Sequence, residues 1–128
     1  MRSSVDIVRD HYAAGAKGDV GGMVADFAPD LDWKSMAPVT VHLTGPDAVV
    51  KNVFGTFPGL YKSFRVDIEK LHDAGDTVFM VGHYAGTSNR GEDFRVRVTH
   101  KWSVGNGKIR SFEQFADSTQ MKRAQSKD

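Results

Sequence analysis

The sequence predicts an α+β fold in which one curved antiparallel sheet carries helices on a single face. In the first third of the 128 residues, apolar side chains recur at helical spacing. From about residue 64 onward, apolar and polar side chains alternate, which is typical of half-buried strands. Turns rich in glycine, asparagine and aspartate separate the alternating stretches, so the second half is expected to form a meander of strands.

Three helices are expected before the meander. The first begins after Ser3 and is amphipathic as far as Ala16. The second is short and follows Asp19, a residue suited to cap a helix. The third begins at Gly45–Pro46–Asp47, where the proline suits the first helical turn, and ends before Pro58.

Five strands are expected, one before the third helix and four after it. Their ranges are Leu31–Ser35, Phe64–Glu69, Thr77–Thr87, Phe94–Val104 and Ile109–Asp117. Because side chains alternate along a strand, His100 and Trp102 share a face with Val96 and Val98. That apolar face should meet the helices.

The pairing of the middle strands decides where His83 points. If the turns on either side of its strand each have four residues, antiparallel pairing places His83 opposite both Val66 and Val96. Its side chain would then face the helices. An inward histidine is a usable acid–base group, although a lone inward histidine is more often an ordinary core residue.

The register of the last strand has two alternatives. A two-residue turn at Asn106–Gly107 places Glu113 opposite His100, which pairs a carboxylate with an imidazole. A three-residue loop with a bulge places Phe112 opposite His100 instead, with Gln114 diagonally adjacent. Both registers are open at this point.

The composition excludes several kinds of site. The chain has no cysteine, which removes disulfides, a thiol nucleophile and Cys-ligated metal centres. It shows no phosphate loop, dinucleotide fingerprint or paired-histidine zinc motif, so we expect no cofactor and no metal. The balance of 17 basic and 16 acidic residues carries no sign of a nucleic-acid partner.

Length and hydropathy predict one domain in the cytoplasm. All 128 residues suit a single domain with its core at about residues 4–119, and the polar segment 120–128 is expected to fray. The longest apolar run, Val78–Val81, is far shorter than the ~20 residues of a membrane helix. Charges within the first twelve residues leave no core for a signal peptide.

Several short motifs, in their order and spacing, resemble one family over about residues 4–119. They are His11–Tyr12–Ala13–Ala14, Leu31–Asp32–Trp33, Gly45–Pro46–Asp47–Ala48–Val49, Gly82–His83–Tyr84–Ala85–Gly86–Thr87, His100–Lys101–Trp102–Ser103–Val104 and Phe112–Glu113–Gln114–Phe115–Ala116–Asp117. The chain resembles the SnoaL-like group, related to ketosteroid isomerases, of the nuclear transport factor 2-like superfamily. The resemblance implies a cone-shaped fold, a deep apolar pocket between sheet and helices, and a homodimer built on the outer sheet face.

The resemblance also indicates how the site departs from known enzymes of this fold. The catalytic aspartate of ketosteroid isomerases falls on Ser35, and the acid–base aspartate of the related polyketide cyclases falls on Gln114. A histidine of those cyclases falls on His100 and is retained. The Asp-Arg-Asp pattern of limonene epoxide hydrolase is not evident. Each known catalytic set is therefore incomplete.

The leading hypothesis is a protein with a pocket for a small molecule, acting as an isomerase, lyase or hydrolase on an apolar, oxygenated compound of steroid, terpenoid or polyketide type. His100 would be the acid–base group, Gln114 would orient a carbonyl or hydroxyl, and Tyr12 would donate a hydrogen bond. The expected pocket walls are Trp33, Val53, Phe57, His83, Trp102 and Phe112. The alternatives are a non-catalytic binding protein and an interaction module that uses the outer sheet face.

Overall fold

The computed structural model describes residues 2–128, and helices and strands are mixed along them. The helices are α1 (Ser4–Ala16), α2 (Val20–Val24), α3 (Pro46–Asn52), α4 (Phe57–Leu60) and α5 (Ser118–Gln125), with a short 3₁₀ helix at Phe54–Thr56. The strands are β1 (Phe27–Ser35), β2 (Val41–Thr44), β3 (Tyr61–Ala74), β4 (Thr77–Ser88), β5 (Asp93–Gly105) and β6 (Lys108–Ala116). The architecture is α+β, as predicted.

The first three helices, α1, α2 and α3, begin where the sequence predicts them. The Ser3 hydroxyl accepts a hydrogen bond from the backbone N–H of Asp6, and the Asp19 carboxylate accepts one from Gly22, which caps α1 and α2. Pro46 occupies the first turn of α3. The expected third helix is in fact broken into α3, the 3₁₀ helix and α4.

The segment Ser118–Gln125 forms a helix, so the prediction that residues 120–128 fray is wrong for residues 120–125. Asp117 caps α5 by accepting the backbone N–H of Gln120. Met121 and Ala124 point one face of this otherwise polar helix into the core, where both are buried. Two apolar side chains at helical spacing were sufficient to dock it.

One six-stranded sheet forms the body of the protein, in the order β2-β1-β6-β5-β4-β3. All neighbours are antiparallel except β1 and β6, which are parallel. The prediction of a wholly antiparallel sheet is wrong in this one pair, because the first strand returns beside the last. The edge strand β2 was not predicted.

The register of β4 places His83 on the outer face, so the prediction that it faces inward is wrong. The two-residue Gly75–Asp76 turn alone would place His83 opposite Ile68, on the same side of β3 as Val66, but a bulge between Ile68 and Lys70 shifts the pairing by one residue. The turn before β5 contains five residues, 88–92, rather than the expected four. His83 therefore lies opposite Asp67 on β3 and Arg97 on β5 rather than opposite valines.

The last strand combines features of both predicted registers. Its turn is the two-residue Asn106–Gly107 turn, with both residues at positive φ. A register shift beyond Val104 then places Gln114 directly opposite His100, so neither predicted partner, Glu113 or Phe112, lies there. Ile109, before the shift, and Phe112 and Gln114, after it, are all buried.

The core fills the concave side of the sheet, between the strands and the helices. Its largest fully buried side chains include Trp102, Leu31 and Met80. The backbone of β3 approaches β4 closely at Gly86, where a Cβ atom would lie 2.1 Å from the carbonyl oxygen of Ser63. In the described part of the chain, none of the helices has the length and apolar character to cross a membrane.

Candidate functional site

His100 lies at the centre of a buried polar network on the concave face. It extends from the middle of β5, and its side chain is only 4% exposed. Both ring nitrogens have a tyrosine hydroxyl as partner: Tyr12 lies 2.6 Å from Nδ1 and Tyr84 lies 2.5 Å from Nε2. The imidazole is thus held between a helix residue and a strand residue.

Tyr12 reaches His100 from α1. Its position on the apolar face of the helix points the ring toward the sheet, where it is buried. The indole Nε1–H of Trp102, two residues beyond His100 on β5, donates to the Tyr12 hydroxyl oxygen at 2.8 Å. Tyr12 therefore joins two side chains of the same strand.

Gln114 faces His100 from β6, and the backbone fixes the direction of its amide. The carbonyl oxygen Oε1 accepts hydrogen bonds from the backbone N–H groups of Met36 and Ala37, at 3.2 and 3.1 Å. The amide nitrogen consequently points toward Tyr84 and reaches its hydroxyl oxygen in a long contact of 3.4 Å. Gln114 is buried, and its amide oxygen is already occupied by the protein's own backbone.

Aromatic rings surround the network on one side. Trp33 of β1 stacks on Phe112 of β6 with ring centroids 3.8 Å apart. Phe112 also contacts the rings of His100 and Trp102, at 4.7 and 4.5 Å between centroids. The structure brings these predicted wall residues together, but they pack against one another in the core and do not line an open pocket.

Val53 and Phe57 are half-buried at the edge of the core, and we call this pair the rim. Both belong to the broken stretch after α3 and pack against the core. Phe57 contacts Phe64 of β3 at 4.7 Å between ring centroids, and Phe64 contacts Tyr84 at 5.0 Å. A continuous row of aromatic rings thus connects this rim to the tyrosine that bonds His100.

Sequence reasoning missed two members of the site, Tyr84 and His11. Tyr84 follows His83 on β4, so the error in register that turned His83 inward turned Tyr84 outward. The signal that would have found it is the length of the turn before β5: Thr87 pairs with Asp93, so the turn contains five residues, 88–92, one more than predicted. His11 is buried beside Tyr12 on α1, and its Nδ1 bonds the backbone carbonyl of Met23 at 2.8 Å.

Burial keeps the whole network uncharged near neutral pH. It lowers the pKa of His100 to about 3, an effect to which nearby His11 adds, and it lowers the pKa of His11 itself to about 4. Burial also raises the pKa of Tyr84 and Tyr12 well above the usual value for a phenol. The geometry therefore offers neutral hydrogen-bond donors and acceptors rather than charges.

The network contains no carboxylate. The buried polar or charged residues between positions 2 and 128 are His11, Ser88, His100 and Gln114. Ser35, which accepts a hydrogen bond from the indole of Trp33 at 3.2 Å, is the direct neighbour of Gln114 in the β1–β6 pairing. Within the same residues, no three histidine or acidic side chains are arranged to hold a metal ion.

His83 takes part in a different network on the outer face of the sheet. Arg95 donates to Nδ1 of His83 at 3.2 Å and to the carboxylate of Asp67 at 3.0 Å. Next to them, Arg97 bonds Glu69. His83 is therefore separated from the other predicted site residues by the thickness of the sheet.

Two surface depressions among residues 2–128 do not reach the network. One lies beside the start of α1 and the β5–β6 turn, and another lies beside α5. Neither is lined by any of the predicted site residues. The deep pocket that the resemblance implies stays a prediction.

A curved, unclosed six-stranded sheet with helices on its concave side is the fold of nuclear transport factor 2-like proteins. Residues 8–112 match the SnoaL-like domain, and the chain belongs to that family. No curated protein sequence matches the chain significantly.

Solved structures agree with this assignment. A nuclear transport factor 2-like protein of Burkholderia thailandensis is 41% identical, with 98% of this chain and 99% of that chain covered and a TM-score of 0.92. A second such protein, of unknown function, from Burkholderia pseudomallei is 23% identical, with the same coverage and a TM-score of 0.89. TerC, co-crystallized with polyporic acid, is 20% identical, with 94% and 96% covered and a TM-score of 0.85. The last two show the fold alone.

Proposed function

We propose that this protein binds an apolar, oxygenated small molecule on the concave face of its sheet, with Tyr12, His100 and Tyr84 as the polar part of the site. The observation that supports the proposal is a chain of hydrogen-bonded side chains set among aromatic rings. Ligand sites for such compounds are mostly apolar, with a few placed polar groups. The polyporic acid in TerC is an oxygenated ligand in a protein of the same fold.

The rim is the proposed route for the ligand. His100 is almost fully covered, so a ligand can reach it only if side chains move. Val53 and Phe57 belong to a stretch of very short helices, and Gly55 and Gly59 within that stretch are exposed. We expect this stretch, rather than the packed pair of Trp33 and Phe112, to move aside.

Recognition by hydrogen bonds is the favoured role of the network. A pKa of about 3 makes neutral His100 a weak base, whereas general bases work best with a pKa near the working pH. Gln114 does not titrate, and no carboxylate is buried beside it. Recognition by hydrogen bonds therefore needs no titrating group in the network.

Acid–base conversion of the bound molecule is a second candidate, as an isomerase, lyase or hydrolase. The observation that favours it is the continuous chain from Tyr12 through His100 to Tyr84, along which a proton can pass. In that case a bound substrate must raise the pKa of His100 toward neutrality. His100→Gln should then abolish turnover of an identified substrate while leaving its binding measurable.

Thermal-shift screening with steroid-, terpenoid- and polyketide-like compounds tests the binding proposal. A ligand at one hundred times its Kd stabilises the folded state by about 2.7 kcal/mol. The shift produced by a hit should shrink in His100→Gln and persist in His83→Gln, the matched variant on the outer face. Equal losses in both variants, or no hit at all, would contradict binding at this network.

We also propose a homodimer through the outer face of the sheet. Phe115 is 44% exposed there, and it lies in one row across the sheet with Thr99 of β5 and half-buried Val81 of β4. Light scattering should give twice the 14.1 kDa chain mass. Phe115→Asp should give the monomer, and Val39→Asp, at an exposed loop residue, should not.

A dimer that purifies without another protein would count against the interaction-module alternative. The proposed cytoplasmic location stays a prediction.

A further inference from the structure

The Tyr12–His100–Tyr84 chain holds one more proton than its two internal hydrogen bonds can use. A neutral imidazole carries one N–H, and each tyrosine carries one O–H. The contacts from Tyr12 to Nδ1 and from Tyr84 to Nε2 consume one proton each. Whichever ring nitrogen is protonated, one tyrosine hydroxyl proton is left over.

The side chains next to the chain cannot accept that proton. Trp102 meets the Tyr12 oxygen through its indole N–H, which is a donor only. Gln114 meets the Tyr84 oxygen through its amide nitrogen, because Met36 and Ala37 occupy its carbonyl oxygen. Among the hydrogen bonds of residues 2–128, neither hydroxyl has another partner.

Two observations assign the spare proton to Tyr84. The donation from Trp102 to the Tyr12 oxygen at 2.8 Å is strong, and it makes Tyr12 the better donor toward Nδ1 of His100. His100 then carries its proton on Nε2 and donates it to Tyr84. The contact from Gln114 to the Tyr84 oxygen is longer, at 3.4 Å. It therefore does less to make Tyr84 a donor toward Nε2 of His100.

Like Tyr12, Tyr84 is one ring away from the stretch that carries the rim. Its ring contacts half-buried Phe64, which contacts Phe57. The ring of Tyr12 instead contacts Trp102 and His11, which are both buried. His11 in turn contacts Phe54 of the same stretch at 6.3 Å between ring centroids, against 4.7 Å for Phe57 and Phe64. The position of the spare proton therefore distinguishes Tyr84 from Tyr12, and access from the rim does not.

We propose that Tyr84 donates its hydroxyl proton to an uncharged acceptor oxygen of the ligand, so that the site selects ketones or quinones over compounds of the same shape without the oxygen. This inference rests on the proposed function, and it adds the ligand class and a specificity-determining residue. His100 acts as a positioning residue, because its Nε2–H tautomer directs the Tyr84 proton outward.

The first test needs no ligand. In protein labelled with ¹⁵N-histidine, His100 should show the neutral Nε2–H tautomer at pH 7, assigned by the signals that disappear in His100→Gln. The Nδ1–H tautomer would move the spare proton to Tyr12 and overturn the inference. A protonated imidazole would overturn it too, since the proton count assumes a neutral ring.

The second test compares two probes of matched shape, acetylnaphthalene and isopropenylnaphthalene, which differ by a carbonyl oxygen in place of a methylene. Tyr84→Phe should weaken acetylnaphthalene binding about tenfold and leave isopropenylnaphthalene unchanged. Tyr61→Phe is the matched control, because the hydroxyl of that buried tyrosine accepts a hydrogen bond from Gln125 and makes none with the His100 network.

The outcomes separate this inference from the proposed function. If both probes bind with affinities that do not depend on Tyr84, the site binds small molecules and the assignment of Tyr84 is wrong. If neither probe binds and the compound screen is also negative, the proposed function fails, and the ligand class fails with it.

Discussion

The two faces of the sheet hold the same residue type in opposite settings. On the concave face, His100 of β5 lies between two buried tyrosines. On the outer face, His83 of the neighbouring strand β4 lies beside the exposed guanidinium of Arg95. One network is neutral and excludes water, and the other is charged and solvated.

This difference shows that the face, not the residue type, decides what a histidine can do. Burial penalises a charge, so a histidine on the concave face acts through the position of one proton. On the outer face, water screens the charges and the ion pairs contribute little to stability. The predictions below test that contrast, beginning with the largest expected effect.

Trp102→Ala should destabilise the protein by about 3–5 kcal/mol, because it removes a fully buried indole and leaves the Tyr12 oxygen without its donor. The adjacent Lys101→Ala on the outer face should change the free energy of unfolding by about 0.5 kcal/mol or less. Denaturant unfolding measures both. Similar losses in the two variants would remove the distinction between the faces.

Acidification should destabilise the protein through His100 and His11. Their pKa values in the folded protein are lowered to about 3 and about 4, so the unfolded chain binds protons that the folded chain does not. Their contribution to stability is complete above the unfolded value of about 6.5 and is lost as the pH falls toward 4.

Well inside this window, each histidine should lower the free energy of unfolding by about 1.4 kcal/mol for every unit by which the pH falls. Denaturant unfolding at a series of pH values measures the slope for the wild type, His100→Gln and His11→Gln. Each variant should lose about half of the histidine-dependent slope. An unchanged slope in His100→Gln would show that His100 is protonated in the folded state.

Tyr12→Phe should cost about 1–3 kcal/mol, because it leaves Trp102 Nε1 and His100 Nδ1 buried without a partner. Tyr61→Phe removes one hydroxyl at a half-buried contact and should cost about 1 kcal/mol or less. Thermal unfolding of the two variants compares them at constant ring volume. A neutral Tyr12→Phe would mean that water replaces the hydroxyl without cost.

Arg97→Ala should have the smallest effect. The guanidinium and its partner Glu69 are both exposed on the outer face, so we expect no measurable change in the unfolding midpoint at moderate salt. Measurement at low and high salt provides the control. A clear loss that persists in high salt would show that this face is covered, as in the proposed dimer.

The fold could be predicted from the sequence because it follows from local patterns. The period of apolar residues gave the helices, and strand alternation placed His100 and Trp102 on the buried face. The composition of the site depended on register, which local patterns leave open. A bulge in β3 and a five-residue turn before β5 exchanged Tyr84 for His83, and a second bulge brought Gln114 opposite His100.

The docking of α5 and the parallel pairing of β1 with β6 could not be predicted for a related reason. Both depend on contacts between distant parts of the chain. The polar composition of residues 120–128 conceals the two apolar side chains, Met121 and Ala124, that fix the helix. His11 was overlooked because its backbone partner, Met23, comes from the next helix.

Gln114 links the site to the edge of the sheet. Its amide oxygen is held by two backbone N–H groups in the loop after β1, so the conformation of that loop sets which way the amide nitrogen points. Loop residues farther along, such as Val39, are exposed and free to vary. A chain could therefore change the direction of the donor beside Tyr84 by altering that loop, with every residue of the His100 network left unchanged.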